Sequence, residues 1–206
     1  MAKSGHESKV KLLNAATRVV RTKGYNAARV DDVCAEAGVT KGSFFHHFDG
    51  KEDLTLAAVA HWDQKSHAFF ETAPYHAHAD PLDRLLAYID FRKSLIRGDL
   101  VDFTCFIGTM AQEVFDTHPA IREACRSSIA SHVATIEPDI EAAMRMHAFQ
   151  GDWTAASLAM HIQAVNQGAF VLAKAEHGVD AAIMALEHLR RYVELLFERR
   201  GDAASA

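Results

Sequence analysis

Apolar residues recur at helical spacing along almost the whole of this 206-residue chain, and the pattern predicts helices only. Val10, Leu13, Ala16 and Val20 mark one face of a helix over about 8–23. Val30, Val33, Cys34 and Ala37 mark a second, short one. Phe44 and Phe48, four apart, face inward from a third. Leu54, Ala57, Ala58 and Trp62 carry a fourth from Lys51 toward Phe69. Two prolines make 72–81 a loop. Leu82, Leu85, Leu86, Ile89 and Ile96 give the next helix, broken at Gly98-Asp99, and another follows over about 103–116. Pro119 suits the first position of its successor. There Ile129, Val133, Ile136, Ile140 and Met144 keep their spacing across Pro138, which predicts one long helix kinked at the proline and ended by Gly151-Asp152. Two helices close the chain, over about 154–176 and 180–199. The segment 201–206 is small, polar and predicted to be a disordered tail.

The second and third helices carry the chemistry. Asp31 and Asp32 fall in a first turn, where carboxylates suit the helix dipole. Gly38 stands where the chain must reverse with positive φ. Val39 plugs the turn, and Thr40 is an N-cap. Lys41, Gly42 and Ser43 then form a first turn that is polar and, at Gly42, open to close approach. Phe45, His46 and His47 share the outer surface, and Asp49-Gly50 turns the chain into Lys51. Two short helices about a tight turn, the second with a polar, basic start, are a helix-turn-helix sized for a major groove.

The run 38–54, G-V-T-K-G-S-F-F-H-H-F-D-G-K-E-D-L, resembles the DNA-binding domain of the tetracycline-repressor (TetR) family of bacterial transcription factors. The resemblance covers about residues 8–55, with Gly24-Tyr25 matching the Gly-aromatic pair that ends the family's first helix. It implies an all-helical homodimer whose C-terminal domain binds a small molecule and then releases DNA. Two positions depart from the family pattern. Ala28 and Arg29 stand where a hydroxyl cap is usual, which leaves Arg29 to reach a phosphate. Phe45 stands where Tyr is frequent, so an apolar contact to a thymine methyl or a sugar replaces a hydroxyl on the backbone. His47 matches a frequent phosphate-contacting His of the family. Protonation adds charge to it, which predicts tighter DNA binding as pH falls. The expected DNA-binding set is therefore Arg29, Thr40, Lys41, Gly42, Ser43, Phe45, His46, His47 and Lys51.

Charge distribution agrees with this division. The chain carries −5 overall, yet residues 1–48 hold eight Lys/Arg against four acids, so that the head is +4 and the remainder −9. A basic head favours phosphates at one end only. The expected organisation is all-α: a three-helix DNA-binding domain over 1–55, a helical effector-binding and dimerisation domain over 56–200, and the tail. Small residues on the penultimate helix (Ala155, Ala156, Ala159, Ala164, Gly168, Ala169) permit close helix approach. Ile183, Leu186, Leu189, Val193, Leu196 and Phe197 form a stripe on the last. Such features suit a plain core and a dimer interface alike, and the resemblance favours pairing through both helices into a four-helix bundle.

The body between offers large apolar residues with few polar ones: Phe91, Phe106, Met110, Phe115, Ile136, Met144, His161, Gln163, Asn166 and Phe170. That fits a lined pocket, although for any single one of these residues an ordinary core is the more usual cause. The expected effector set is Phe91, Cys105, Phe106, Thr109, Met110, Ile136, Asn166 and Phe170. Cys105 sits early in a helix, where the dipole lowers a thiol pKa, so a thiol sensor of electrophiles or oxidants is the alternative on the same scaffold.

Other classes find less support. Cys34, Cys105 and Cys125 are few and odd in number, which predicts a reducing cytoplasm rather than a disulfide scaffold. The thirteen His lack the spacing of paired ligands, so no metal and no other cofactor is expected. No apolar run approaches membrane-spanning length. With no nucleophile–base set, phosphate loop or catalytic carboxylate pair, an enzyme or helical carrier is the remote reading. The expected partners are double-stranded operator DNA, a small-molecule effector and a second copy of the chain.

Overall fold

The computed structural model describes residues 2–147, 149 and 151–198. Among them every regular element is helical: α1 (Ala2–Lys23), α2 (Val30–Ala37), α3 (Lys41–His47), α4 (Lys51–Glu71), a 3₁₀ turn (Pro74–Ala77), α5 (Pro81–Ser94), α6 (Leu100–Phe103), α7 (Phe106–Val114), α8 (Pro119–Met146), α9 (Ala155–Glu176) and α10 (Asp180–Glu198). The tail 201–206 lies outside the described residues.

Packing gathers the chain into two units that do not follow its linear order. The first holds residues 1–71 with 104–130, the second 72–103 with 131–206. In the first, α1 packs on α2, α3, α4 and α7. Leu12, Phe44, Ala58, Phe106, Met110, Val114 and Ile121 are completely buried in one shared core. The helix-turn-helix is thus not closed by 50 residues of local sequence; α7 and the start of α8 complete its core. In the second unit α5 and α9 both pack on α10. Leu85, Tyr88, Ile89, Ile140, Ala159, Ile162, Leu186 and Val193 fill its interior. Arg84 to Asp139 (2.8 Å) links α5 to α8, and Arg190 to Asp90 (2.9 Å) links α10 to α5.

Several expected boundaries move. Helix α1 starts at Ala2 rather than near residue 8. The 72–81 loop contains the 3₁₀ turn, because Tyr75 is buried with its ring 5.4 Å from Tyr88 and 5.8 Å from Phe91. Helix α5 stops at Ser94, before Ile96. The helix expected over about 103–116 runs only from Phe106 to Val114, with the short α6 ending ahead of it at Phe103; Cys105 adopts extended backbone and caps α7, its Sγ accepting from the Gly108 amide at 3.4 Å. Helix α8 does run unbroken through Pro138, but it ends at Met146, ahead of Gly151-Asp152.

Candidate nucleic-acid interface

Local sequence builds the α2–α3 corner as its residue types require. The Asp32 carboxylate accepts from the Arg29 amide (2.8 Å), capping α2 where a Ser or Thr hydroxyl is missing. The Lys23 ammonium beside Asp32 (2.8 Å) lowers that carboxyl's pKa, and the Arg29 bond adds to the effect. Gly38 takes φ 64°, and its amide returns to the end of α2. Thr40 Oγ1 accepts from the Ser43 amide at 3.2 Å, capping α3. Phe44 and Phe48 are buried, while Phe45 keeps 59 % of its surface exposed, edge-on to Phe44 at 5.1 Å.

The exposed face of α2–α3 thus presents Arg29, Thr40, Lys41, Gly42, Phe45 and His46, with Ser43 and His47 half-buried beside them. Lys41 Nζ lies 2.7 Å from Asp31 Oδ1, and both side chains remain exposed. This bond and the Asp31 charge raise the Lys41 pKa, so the cation is secure. At Gly42 an added Cβ would meet only Thr40 Oγ1, at an ordinary 3.7 Å. The fold therefore does not demand glycine there, although a helix prefers Ala by about 1 kcal/mol. Packing therefore does not account for Gly42.

His47 is tied to α1. The Ser8 hydroxyl gives its one proton to the Gly5 carbonyl (3.0 Å), so toward His47 Nε2 (2.7 Å) Ser8 is the acceptor. That accounting assigns the proton to Nε2 and leaves Nδ1 as an acceptor. Desolvation pushes the His47 pKa below the ordinary imidazole value, and the nearby His46 and Lys9 charges add to it.

Lys51 has a different situation from the one expected. Its Nζ donates to the carbonyls of Tyr25 (2.7 Å) and Ala28 (2.9 Å) and lies 4.1 Å from the Tyr25 ring centroid. Burial lowers its pKa, against an opposing pull from Glu113. Two of its three N–H groups thus hold the turn between α1 and α2.

Comparison with known proteins decides the family. The sequence profile "Bacterial regulatory proteins, tetR family" matches residues 12–58, and "Tetracyclin repressor-like, C-terminal domain" matches residues 81–189, more than half of the chain. The chain belongs to the TetR family. Among relatives, it is 28% identical over 113 residues to the transcriptional regulator AcuR of Cereibacter sphaeroides, covering 55% of this chain and 50% of AcuR. It is 29% identical over 140 residues to LmrA of Bacillus subtilis, covering 64% and 70%. The chain therefore spans about half the length of the first of these relatives. A solved TetR transcriptional regulator from Chloroflexus aurantiacus superimposes with TM-score 0.80 at 26% identity, covering 93% of this chain and 96% of that one.

In this TetR-family chain the effector candidates fall into two groups. Cys105, Phe106, Thr109 and Met110 belong to the first unit, where Phe106 and Met110 are completely buried in the core shared with α1. Phe91, Ile136, Asn166 and Phe170 belong to the second. Asn166 is only 1% exposed; its Nδ2 donates to the Ile162 carbonyl (2.8 Å) and its Oδ1 accepts from Arg92 Nε (3.1 Å). Arg92, with Tyr88 and His132 bonded near it, escaped the sequence reading. The available signal was Tyr88 and Arg92 one helical turn apart, a polar pair set into an otherwise apolar face.

Proposed function

We propose that this protein is a homodimeric transcriptional repressor that holds a palindromic operator through paired α3 helices and leaves it when a small molecule binds the second unit. The observation that carries the reading is the outer face of α3. A free glycine position, a secure cation, an exposed phenylalanine and two imidazoles sit together there, over a core of Phe44 and Phe48. Cations neutralise phosphates, and an apolar ring suits a thymine methyl.

One α3 offers few base contacts, so pairing matters: two copies about 34–36 Å apart read successive major grooves. Helices α9 and α10 supply an apolar face for it. Met160 and Leu172 on α9, and Met184, Tyr192 and Leu195 on α10, are exposed, with Ala164 and Gly168 along the same stretch of α9. Exposed apolar residues concentrated on two adjacent helices favour a four-helix dimer interface. Effector binding would act by altering the separation of the two α3 helices. The work would take place in the cytoplasm, in keeping with three free cysteines; none of the described helices is long and apolar enough to cross a membrane.

The direct test is fluorescence anisotropy of the full chain on duplex DNA from upstream of its own gene, over a series of salt concentrations. Tight, salt-sensitive binding that exceeds binding to random duplex is expected. Failure to bind any duplex at low salt would refute the proposal. Light scattering on Met184→Glu should show conversion of the dimer to monomer.

A further inference from the structure

The start of α1 packs beside the end of α3. Gly5, Ser8, Lys9 and Leu12 fall at helical spacing on one face of α1. Leu12 is completely buried in the core that also holds Phe44 and Phe48. One turn earlier, Ser8 stands 2.7 Å from His47 Nε2, and Lys9 Nζ lies 5.6 Å from the ring centroid of Phe48, the residue that ends α3. The His46 ring is 4.9 Å from that of His47. One ammonium and two imidazoles from two helices are thus gathered where α3 stops.

Lys9 differs from its cationic neighbours. Lys11 is set against Glu7 (2.8 Å), Arg18 against Glu36 (3.3 Å), Lys23 against Asp32 (2.8 Å) and Lys41 against Asp31 (2.7 Å). Lys51 is committed to two backbone carbonyls. Lys9 is exposed, and among the described residues its charge meets an aromatic face and no carboxylate. It is also close enough to His47 for the two charges to repel, which disfavours the imidazolium. A phosphodiester placed against like charges turns that repulsion into attraction.

The position suits DNA as well as the charge does. Lys41 opens α3 and His47 closes it, and a seven-residue helix spans about 10 Å. A major groove is about 12 Å wide. A recognition helix lying in that groove with cations at both ends meets phosphates on both walls, Lys41 on one and the Lys9–His47 group on the other.

We propose that Lys9 of α1 binds a phosphodiester of the operator backbone together with His47, so that the DNA contact extends beyond the helix-turn-helix onto the first helix. No residue of α1 belongs to the DNA-binding set expected from the sequence. The proposal rests on reading this unit as the DNA-binding head.

Anisotropy of the full chain over a series of salt concentrations tests it, on a random-sequence duplex and on the duplex from upstream of its own gene. Lys9→Met keeps an apolar stem on Phe48 and removes the charge. Lys11→Met removes a charge already set against Glu7 and controls for net charge. Lys9→Met should weaken both duplexes alike and flatten the log–log salt slope by about one unit. Lys11→Met should change the slope by less than half as much, and Lys9→Arg should keep the parent slope. Thermal unfolding checks that all three variants fold. Equal slopes for the parent and Lys9→Met overturn the site. So does an equal loss in Lys11→Met, which would be an effect of net charge, or a loss that Lys9→Arg shares. A chain that prefers the upstream duplex with a slope unmoved by Lys9→Met keeps the regulator reading and overturns the site. A chain that holds both duplexes equally, with the slope flattened in Lys9→Met, supports the site and counts against an operator upstream of its own gene. Binding to no duplex at low salt overturns both.

Discussion

The Glu113 carboxylate accepts from the backbone amides of Tyr25 (3.2 Å) and Asn26 (3.0 Å), joining α7 to the turn that leads into the helix-turn-helix. The same turn is held from the other side by Lys51 on the Tyr25 carbonyl (2.7 Å). Arg21 Nη1 adds a bond from α1 to the Thr104 carbonyl (3.3 Å), just ahead of α7. Two backbone amides of the turn that follows α1 are thus satisfied by a residue 88 and 87 positions away. Hydrogen bonds to a charged group contribute about 1.5–3 kcal/mol, so Glu113→Ala should lower unfolding stability by an amount of that order. It should also weaken DNA binding, because α2 loses its fixed starting point. Urea denaturation checks the first effect and anisotropy the second; unchanged values in both would remove Glu113 from this role.

Lys41 and Asp31 form an ion pair that is exposed on both sides. Such exposed pairs contribute little to folding, so Lys41→Ala should barely change stability. Its expected effect is on DNA binding. Losing one phosphate contact should weaken binding to all sequences alike and flatten the log–log salt slope by about one unit. Asp31→Asn should act in the opposite direction, tightening binding by freeing Lys41 and removing a like charge from the phosphates. An unchanged slope in Lys41→Ala would take this residue off the backbone.

Gly42→Ala separates folding from function. With only an ordinary contact awaiting a Cβ, the variant should gain up to about 1 kcal/mol of helix stability. If DNA approaches this backbone closely, the same methyl group should weaken operator binding. A variant that is more stable and binds equally well would show that nothing comes close to Gly42.

What could be read from the sequence depended on how local its cause was. The φ of Gly38, the Thr40 cap and the burial of Phe44 and Phe48 follow from residues within four positions of one another, and each was legible. The break at Thr104-Cys105 was not: F-T-C-F-I-G contains no strong breaker before Gly108, and the separation of α6 from α7 comes with the burial of Thr104 and Phe106. Lys51 had the position of a phosphate ligand in the linear motif, but its partners are carbonyls 23 and 26 residues earlier. The Arg92 cluster joins residues 40 and 74 apart, with no short motif to announce it. Element type and the recognition corner were therefore readable, whereas long-range polar pairing was not.

The three cysteines should differ in reactivity. Burial pushes the Cys125 thiol up to about 12, and the Cys105 and Asp63 charges act in the same direction. Burial also raises Cys34, with Asp31 adding to it. Cys105 is the half-buried one. Thiolate, not thiol, reacts with alkylating agents. Limited iodoacetamide treatment of the folded protein at pH 8, read by peptide mass spectrometry, should label Cys105 first, with Cys125 protected until denaturant is added. Equal labelling of all three would contradict the burial. If Cys105→Ser still answers its effector, labelling at this site has no part in release.

His47 gives two pH dependences of opposite sign. Its folded pKa is depressed by desolvation and by the His46 and Lys9 charges, so the native state binds fewer protons than the unfolded chain just below the ordinary imidazole value of about 6.5. Stability rises with pH wherever the unfolded state binds more protons. The His47 contribution is therefore intact above that value and is lost as pH falls from about 6.5 toward the folded pKa. On DNA the balance reverses, since phosphates favour the imidazolium and binding takes up a proton. Wild-type protein should thus bind operator more tightly, yet unfold more easily, as pH falls from 7.5 to 5.5. His47→Gln can still donate to Ser8 but cannot take up charge, so both dependences should shrink in it. Parallel pH series of denaturation and anisotropy on the two proteins decide the matter. Identical profiles for wild type and variant would mean that His47 does not titrate in either process.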